Sequence, residues 1–424
     1  MNNKIKFLLA IGLIVLFSYY IFKVSLKYKI QKEDVNIECN IIAKGCEESV
    51  SVCTANNNIY VAFKNQIKCL DKDGKEKTIY KNTGEKIEDL AYCNNALFFI
   101  SNNKLVKFDL ESKEVVGTIN NIPGVGKESK RAIISDRNSI YISIGTVTNS
   151  GISDNNQKDL TPIDITLVGE NYNNTGAFKE VGQTSYKNEV IKKSEIGNGA
   201  IYKINESDLS YKLFASGIHN VAAMDINSKG EMIAIFSGMK DEGIRPIKGD
   251  KDYIYKVKEG NFYGWPDYSG GDPVDSPRFR SKENKLMKNY PQYAMYGLVY
   301  QDKNVNNLES LCIDSRGRIF RKDSYLYWDK KEQMIKELVE EKYIIDILKL
   351  NNKSQIKKII SQGNKFIVLD SGVGCIYTIE EKTNNSGFYL NKEIIIFLCS
   401  LGIGSLTIII YKYKVRRKEK WRKI

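Results

Sequence analysis

The feature of this sequence that most restricts its fold is a recurring unit of short strands. Each unit has a β-branched and aromatic run, a polar turn and a second such run. Residues 49–71, "SVSVCTANNNIYVAFKNQIKCLD", and residues 87–109, "IEDLAYCNNALFFISNNKLVKFD", are two examples. Asn, Asp and Gly supply the backbone conformations that tight hairpin turns need. The body of the chain is therefore predicted to consist of antiparallel hairpins.

The spacing of these units predicts how the hairpins are arranged. Six second-strand positions are separated by 38, 43, 92, 87 and 47 residues: Ile59, Leu97, Ile140, Met232, Ile319 and Phe366. Repeats of about 40–50 residues built from short strands are typical of propeller blades. We therefore predict an all-β fold, a six-bladed β-propeller, with large loops after blades three and four. Long loops on a rigid scaffold often carry function.

One segment of the body has a different pattern. Residues 327–350, "YWDKKEQMIKELVEEKYIIDILKL", place Ile335, Leu338 and Val339 at helical spacing. This periodicity predicts a helix that decorates blade five or offers a surface to a partner.

Both ends of the chain carry an uncharged apolar run, at residues 7–22 and 394–411. A helix needs about 20 mainly apolar residues to cross the hydrocarbon core of a bilayer. We therefore predict one transmembrane helix at each end, the first an uncleaved signal anchor because no small-x-small cleavage site follows it. The predicted domains are an N-terminal anchor (1–32), the propeller (33–385), a linker with the second span (386–411) and a basic cytoplasmic tail (412–424).

The net charge of +13 is confined to the two ends of the chain. Residues 1–32 carry six Lys and no acid, and residues 412–424 carry eight Lys or Arg and one Glu, so residues 33–411 are formally neutral. A neutral body offers no electrostatic footprint for nucleic acid. The positive-inside rule predicts a plasma-membrane protein with both termini cytoplasmic and the propeller outside the cytoplasm.

Cysteine usage leaves two interpretations open. Seven of the eight cysteines fall in the body: Cys39, Cys46, Cys53, Cys69, Cys93, Cys312 and Cys375. An extracytoplasmic location would permit one or two disulfides among the first five, but buried thiols are an equal alternative. The absence of any C-x-x-C pair argues against a zinc site.

Three stretches of blades three to six resemble a known family. Residues 130–151, "KRAIISDRNSIYISIGTVTNSG", residues 240–273, which end in "FYGWPDYSGGDP", and residues 364–379, "NKFIVLDSGVGCIYTI", are similar to the glucose/sorbosone dehydrogenase family. The resemblance covers roughly residues 45–380 and identifies the chain as a divergent member. It implies an extracytoplasmic six-bladed propeller that uses pyrroloquinoline quinone (PQQ), usually with calcium, to oxidise the hemiacetal or aldehyde carbon of a sugar.

The same resemblance indicates where a catalytic base would lie. In the family, the catalytic His lies a few residues before an Arg of blade three, and that Arg corresponds to Arg131 here. This chain has no His at that position, and the base would fall on Lys127 or Glu128. Burial could raise the pKa of the Glu128 carboxyl enough for general-base chemistry, but a solvated loop charge is the alternative.

The predicted cofactor-binding residues are Arg131, His219, Asn220, Tyr263 and Trp265. His219 is the only histidine of the chain and stands where the family has an Arg that holds the quinone carboxylates. His is not a conservative replacement for that cationic fork, so His219 either contacts a ligand or makes a structural hydrogen bond. The rings of Tyr263 and Trp265 could stack on a flat quinone or a sugar, or else pack beneath a loop.

A calcium site has weaker support. Asp241 and Asp252 are the predicted metal ligands, since calcium prefers hard oxygen donors. Asp154, Asp159 and Glu242 are further carboxylates nearby in sequence, and none of them has the spacing of a recognised calcium loop.

Two functions follow from these observations. The first is a membrane-tethered PQQ-type sugar dehydrogenase with a modified active site, whose partners would be the membrane, a sugar or glycan and a membrane electron acceptor. The second is an inactive dehydrogenase-like propeller that binds a carbohydrate or a partner protein. The missing base and the Arg-to-His change favour the second, and converging cations in the pocket would favour the first.

Overall fold

The computed structural model describes residues 30–34 and 36–382, except Glu128 and residues 292–296, together with scattered residues nearer each terminus. The segment Lys32–Glu381 forms one compact unit, and residues 1–31 and 382–424 form a second. Among the described residues no helix is long and apolar enough to cross a membrane. Most of the two apolar runs, at residues 7–22 and 394–411, lies outside the described residues.

The larger unit is a ring of six antiparallel sheets, preceded by β1 (Gln31–Lys32) and β2 (Ile37–Lys44). Blades one and two comprise β3 (Ser49–Ala55), β4 (Asn58–Phe63), β5 (Gln66–Leu70), β6 (Glu76–Lys81), β7 (Ile87–Cys93), β8 (Ala96–Ser101), β9 (Lys104–Asp109) and β10 (Val115–Ile119). Blade three comprises β11 (Ile133–Asp136), β12 (Ser139–Ile144), β17 (Ala200–Asn205) and β18 (Tyr211–Ser216), with β13 (Ile165–Thr166), β14 (Asn171–Tyr172), β15 (Thr175–Gly176) and β16 (Val190–Ile191) inserted.

The remaining blades follow the same order. Blade four comprises β19 (Asn220–Ile226), β20 (Met232–Ser237), β21 (Tyr253–Val257) and β24 (Leu298–Gln301), with β22 (Tyr268–Ser269) and β23 (Asp272–Pro273) inserted. Blade five comprises β25 (Leu308–Ile313), β26 (Tyr325–Asp329), β27 (Met334–Val339) and β28 (Tyr343–Lys349), and blade six comprises β29 (Ile356–Gln362), β30 (Lys365–Asp370), β31 (Cys375–Glu381) and β2. The predicted all-β, six-bladed propeller is confirmed.

The ring is closed by pairing β2, near the start of the chain, with the last strand, β31, whereas β1 adds to the outer edge of blade five beside β28. β2 runs antiparallel to β31, from Ile37 opposite Glu381 to Lys44 opposite Cys375. β2 thus becomes the outer strand of blade six. Apolar side chains fill the spaces between neighbouring blades; Tyr60 of blade one, for example, belongs to the same buried cluster as Phe99 of blade two. This burial between sheets is what holds the blades in a ring.

Strand direction defines two ends of the propeller. The innermost strands β3, β7, β11, β19, β25 and β29 all begin at one end, which we name the mouth end, and finish at the other, the base end. Because neighbouring strands of a blade are antiparallel, each outermost strand begins at the base end.

The long insertions lie within blades three and four rather than after them. Residues 145–199 connect β12 with β17, and residues 258–297 connect β21 with β24. Together they form the insertion core, a buried cluster that includes Phe178, Trp265 and Phe279. The prediction of loops after these blades was wrong in position: the first insertion separates the second and third strands of blade three, and the second separates the third and fourth strands of blade four.

The predicted helix at residues 327–350 is also wrong, since these residues form β26, β27 and β28. Every residue of β27 is buried, including Lys336, which pairs with Asp329 at 3.1 Å. A strand buried on both faces shows no alternation of apolar and polar residues, and its pattern resembled a helix. Ile319, predicted as a second-strand position, lies in the connection before β26.

No disulfide forms among the cysteines of the propeller within the described residues. Five of the seven are buried, and the other two are partly exposed. Burial raises the pKa of the Cys53 thiol to about 12, so it stays protonated at neutral pH. The expectation of disulfides is therefore not met, and the alternative of buried thiols describes this structure.

Candidate functional site

The mouth end gathers cations from three blades around one carboxylate. Glu309 lies near the start of β25, and its Oε1 is 3.8 Å from Nζ of Lys130 and 3.4 Å from Nζ of Lys330. Lys130 precedes blade three and Lys330 follows β26 of blade five. Lys357, in blade six, acts electrostatically on the same group. We name Lys130, Lys330, Lys357 and Glu309 the lysine cluster.

Bulges at the starts of the innermost strands help to form this cluster. Five of the six strands shift register there, and in β29 the shift falls between Ile356 and Lys358. A bulge breaks the alternation that would send consecutive side chains to opposite faces. At this bulge, Lys357 reaches the lysine cluster, and the next residue, Lys358, enters the central channel.

The electrostatics of the cluster favour an added anion. Burial alone would raise the pKa of Glu309, but Lys130 and Lys330 together hold it below its usual value, so Glu309 is ionised at neutral pH. Lys357 is an exposed residue, and partial desolvation of its ammonium, followed by the positive charge of Lys130, lowers its pKa. With Lys357 protonated, three ammonium groups face the carboxylate of Glu309, and the buried Asp370 also acts on Lys357, so the cluster retains a net positive charge.

A second polar layer lies across the channel beneath the mouth. The Nζ of Lys358 donates to Asp89 Oδ1 and to the carbonyl of Leu90, both at 2.7 Å. Asp89 accepts in turn from the backbone N–H of Ile133 at 2.8 Å. Below this layer the innermost strands enclose a cavity of about 250 Å³ that includes Asp225, whose pKa burial raises to about 6.

Arg131, a predicted cofactor ligand, lies beside the mouth but is already paired. Its Nε donates to Glu88 Oε2 at 2.9 Å, and its Nη2 donates to the other oxygen of the same carboxylate. The side chain of Arg131 is only 5% exposed. Such a bidentate pair satisfies both partners, so Arg131 links blades two and three rather than presenting a cation to a ligand.

His219 is partly buried between blades three and four. Its Nδ1 lies 3.2 Å from the carbonyl of Ser237, and its ring centroid lies 6.4 Å from that of Trp265. Burial lowers the pKa of His219 to about 4, so the imidazole is neutral at pH 7. Nδ1 then donates to the carbonyl, and the ring provides no positive charge for an anionic cofactor.

Asn220 is buried, and its amide has a partner on each side. Oδ1 accepts from the backbone N–H of Lys130 at 2.8 Å, and Nδ2 donates to Ser237 Oγ at 3.2 Å. Gly145 packs against it so closely that an added Cβ would lie 2.8 Å from Asn220 Oδ1. Asn220 therefore positions the backbone that carries Lys130, a member of the lysine cluster.

The two predicted aromatic contacts pack within the protein. Tyr263 is 6% exposed, and its hydroxyl accepts from the backbone N–H of Lys258 at 3.1 Å. Trp265 is 5% exposed, donates from Nε1 to the carbonyl of Asn149 at 3.1 Å and meets Phe178 edge-on. The structure thus matches the alternative that these rings support a loop.

The predicted base positions are only partly described. Lys127 is an exposed residue in a turn between blades two and three. Glu128 lies outside the described residues.

The predicted metal ligands have other partners. All four hydrogen bonds to the buried Asp252 carboxylate come from backbone N–H groups: those of Gly238, Asn306, Asn307 and Leu308. Asp241 is exposed, 3.9 Å from Lys248. In the part of the chain that the structure describes, no group of three His, Cys, Asp or Glu residues could hold a metal ion.

The carboxylates considered alongside them also hold loops or face solvent. Asp159 is buried and accepts from Thr148 Oγ1 at 2.6 Å within the blade-three insertion. Asp154 and Glu242 are exposed.

The lysine cluster was missed by sequence reasoning. Its members are spread over more than 200 residues, from Lys130 to Lys357 in a Lys-rich chain, so no local motif marks them. The one available signal was position, because Lys130, Glu309 and Lys357 all lie at the start of a predicted blade. Only the ring closure shows that those starts converge.

The fold has counterparts among solved structures. It is similar to the holo form of the pyranose dehydrogenase PQQ domain from Coprinopsis cinerea, with a TM-score of 0.58 and 10% identity, over 84% of this chain and 97% of that domain. A structure of carbohydrate-active enzyme family AA12 from Trichoderma reesei gives the same TM-score and identity, over 84% and 98%. The PQQ-bound aldose sugar dehydrogenase from Streptomyces coelicolor has a TM-score of 0.50 and 11% identity, over 84% and 99%.

These likenesses show a shared propeller fold at low sequence identity. No protein-family model and no curated protein matches the sequence. The chain is thus a divergent six-bladed propeller with the fold of PQQ-dependent sugar dehydrogenases.

Proposed function

We propose that the lysine cluster binds a carboxylate-bearing quinone of the PQQ class and that the protein oxidises a sugar hemiacetal or aldehyde. The observation that carries this proposal is the convergence of Lys130, Lys330 and Lys357 on one carboxylate at the channel mouth. A site with three ammonium groups and one Glu is suited to an anionic ligand.

The donor set supports PQQ specifically, because PQQ carries three carboxylates. Lysines bind such groups as point charges, without the bidentate geometry of an arginine fork. Here Arg131 is paired with Glu88 and His219 is neutral, so the three lysines take over the role of cationic ligands. The predicted calcium is left out of the proposal, since the described carboxylates do not form a site for it.

A base for the oxidation is available within the same cluster. When bound, the quinone supplies a hydride acceptor, so that a hemiacetal is oxidised to a lactone. The hydroxyl proton must go to a protein group, and a lysine with a lowered pKa can accept it in the neutral amine form. Lys357 is our candidate in its neutral form, in which Lys130 and Lys330 remain the cationic ligands, and Glu128 is the alternative from the sequence.

We further propose that the two apolar terminal runs anchor the protein in the plasma membrane, with both termini cytoplasmic and the propeller outside. Support comes from the uncharged runs at residues 7–22 and 394–411 and from the eight basic residues that follow the second run. A sugar would then be the substrate from outside, and a membrane electron acceptor the partner that reoxidises the quinone.

The binding step is tested by titrating PQQ into the detergent-solubilised full chain and following the quinone absorbance. The combined substitution Lys130→Gln, Lys330→Gln and Lys357→Gln should weaken binding by at least about tenfold, equivalent to ~1.4 kcal/mol. Lys229→Gln is the matched control, since Lys229 is exposed in a base-end turn of blade four and its loss should leave the Kd within about twofold. Equal affinity of the triple variant and the wild type would overturn the assignment.

A further inference from the structure

Both ends of the propeller chain leave it at one place on the base end. Ile37, the first residue of β2, pairs with Glu381, the last residue of β31. Immediately upstream, the backbone N–H of Glu33 donates to the carbonyl of Ile347 in β28 at 3.0 Å. The incoming chain therefore runs beside β28, the outer strand of blade five, before it enters blade six.

The proposed membrane anchors are attached close to this exit point. The first apolar run ends at residue 22, which is 15 positions before Ile37, and the second begins at residue 394, which is 13 positions after Glu381. Tethers of this length hold the base end near the bilayer surface at high effective concentration.

The same end of blade five exposes three consecutive apolar residues. Tyr343, Ile344 and Ile345 open β28 and are 53%, 43% and 44% exposed. A run of exposed apolar residues on an outer strand is costly in water unless something covers it. Tyrosine beside aliphatic residues is typical of the headgroup region of a bilayer, where the ring is buried and the hydroxyl stays hydrated.

Charges around these residues also suit an anionic lipid surface. Glu340 pairs with Arg321 at 2.7 Å, and Glu341 pairs with Lys256. The Nζ of Lys342 lies 5.1 Å from the ring centroid of Tyr343, at the edge of the apolar run. Glu340 and Glu341 are thus paired with cations, Asp346 follows the run as an exposed acid, and Lys342 stands beside the tyrosine.

We propose that residues 342–345, which we name the blade-five rim, lie in the headgroup region of the phospholipid bilayer. The base end then faces the membrane, and the lysine cluster opens away from it. A second copy of the chain is a poorer occupant, because a stable interface buries about 800 Å² on each partner and this run is only four residues long. The inference rests on the proposed anchoring and is independent of the quinone site.

The opposite end of the propeller offers a matched control. Tyr186, in the blade-three insertion, is 68% exposed, and Nζ of Lys179 lies 6.0 Å from its ring centroid. Tyr186 therefore has the same chemistry as Tyr343 but belongs to an insertion that begins and ends at the mouth end.

The test places a fluorescent reporter at each position in the full chain. Tyr343→Trp and Tyr186→Trp variants are reconstituted into vesicles of phosphatidylcholine and phosphatidylglycerol, with or without brominated acyl chains, and recovery of protein with floated vesicles reports anchoring. The tryptophan emission that each variant adds to that of the wild type should be quenched by bromolipid for Tyr343→Trp and unchanged for Tyr186→Trp. The proposal would be overturned if bromolipid changed the emission of Tyr343→Trp no more than that of the wild type, or if it quenched Tyr186→Trp alone. Failure of the full chain to float with the vesicles would also overturn it. The PQQ titration in detergent is unaffected by any of these results, so the two proposals fail separately.

Discussion

Lys358 of blade six reaches across the central channel to Asp89 of blade two, with 2.7 Å between Nζ and Oδ1. The same ammonium donates to the carbonyl of Leu90, and Asp89 accepts from the N–H of Ile133 in blade three. This pair therefore joins three blades at the axis of the ring, directly below the lysine cluster. It also separates the mouth from the cavity on the base side.

Lys358→Met should destabilise the propeller, because it leaves the Asp89 carboxylate without its cation in a largely buried place. Breaking such a pair costs roughly 3 kcal/mol, measurable as a lower midpoint in urea unfolding. Adding Asp89→Asn to Lys358→Met should recover part of the loss, since the amide oxygen can still accept from neighbouring N–H groups. A single variant as stable as wild type would show that the pair does not hold the ring together.

His219 should titrate far below an ordinary histidine, with a pKa of about 4, because burial disfavours the imidazolium. As the only histidine, it gives one set of imidazole signals, so NMR in the folded chain measures its pKa without assignment. In the urea-unfolded chain the pKa of His219 should lie near the ordinary histidine value of 6.5. A folded pKa of 6 or above would mean that the ring is solvated.

The same shift makes stability depend on pH. The unfolded state binds the His219 proton below pH 6.5 and the folded state only below about pH 4, so this contribution is lost as pH falls through that window. Its size is up to roughly 3 kcal/mol. Asp225, with a pKa raised to about 6, acts in the opposite direction and gains stability as pH falls. Comparing wild type with His219→Gln isolates the histidine, and identical pH profiles for the two proteins would contradict the prediction.

The closing strand should be sensitive to charge at its buried first residue. Ile37 is 1% exposed, and Ile37→Asp would bury a carboxylate at the junction of first and last strands, at a cost of roughly 3 kcal/mol. Ile42→Asp is the control, because Ile42 is 37% exposed in the same strand and should change stability by no more than ~0.5 kcal/mol. Thermal unfolding of both variants distinguishes a strand that closes the ring from one that merely lies against it.

The insertion core should unfold locally when its buried ion pair is broken. Arg245 Nη2 lies 2.8 Å from Asp267 Oδ1, and both side chains are inaccessible to solvent. Arg245→Met leaves the buried Asp267 carboxylate without its cation. Limited proteolysis should therefore cut within residues 145–199 or 258–297 while the blades stay folded. Arg280→Met, at an exposed arginine of the insertion that carries Asp267, should be cut at the wild-type rate. Equal protection of both variants would show that the pair does not stabilise the insertion.

The blade repeat could be predicted from sequence because hairpin turns and strand alternation are local properties. The failures have physical causes. β27 is buried on both faces, so its pattern imitated a helix around Ile335. Residues 258–297 separate β24, the fourth strand of blade four, from its partner β21, so no local pattern marks it. Asn220, predicted as a pocket residue, lies against the backbone of Lys130 at the mouth, whereas the pairing of Arg131 with Glu88 depends on two blades meeting. The lysine cluster depends on ring closure in the same way.

The most direct test of the account is single-turnover reduction of the quinone. The detergent-solubilised full chain is loaded with PQQ, separated from free cofactor and mixed anaerobically with aldoses while the quinone absorbance is recorded. We expect reduction by at least one aldose, with a rate that rises with pH in the wild type because the base must be neutral, and a rate at least about tenfold lower in Lys357→Gln. Stable PQQ binding with no reduction by any aldose would contradict the dehydrogenase proposal and leave a propeller that binds anionic ligands without oxidising a sugar.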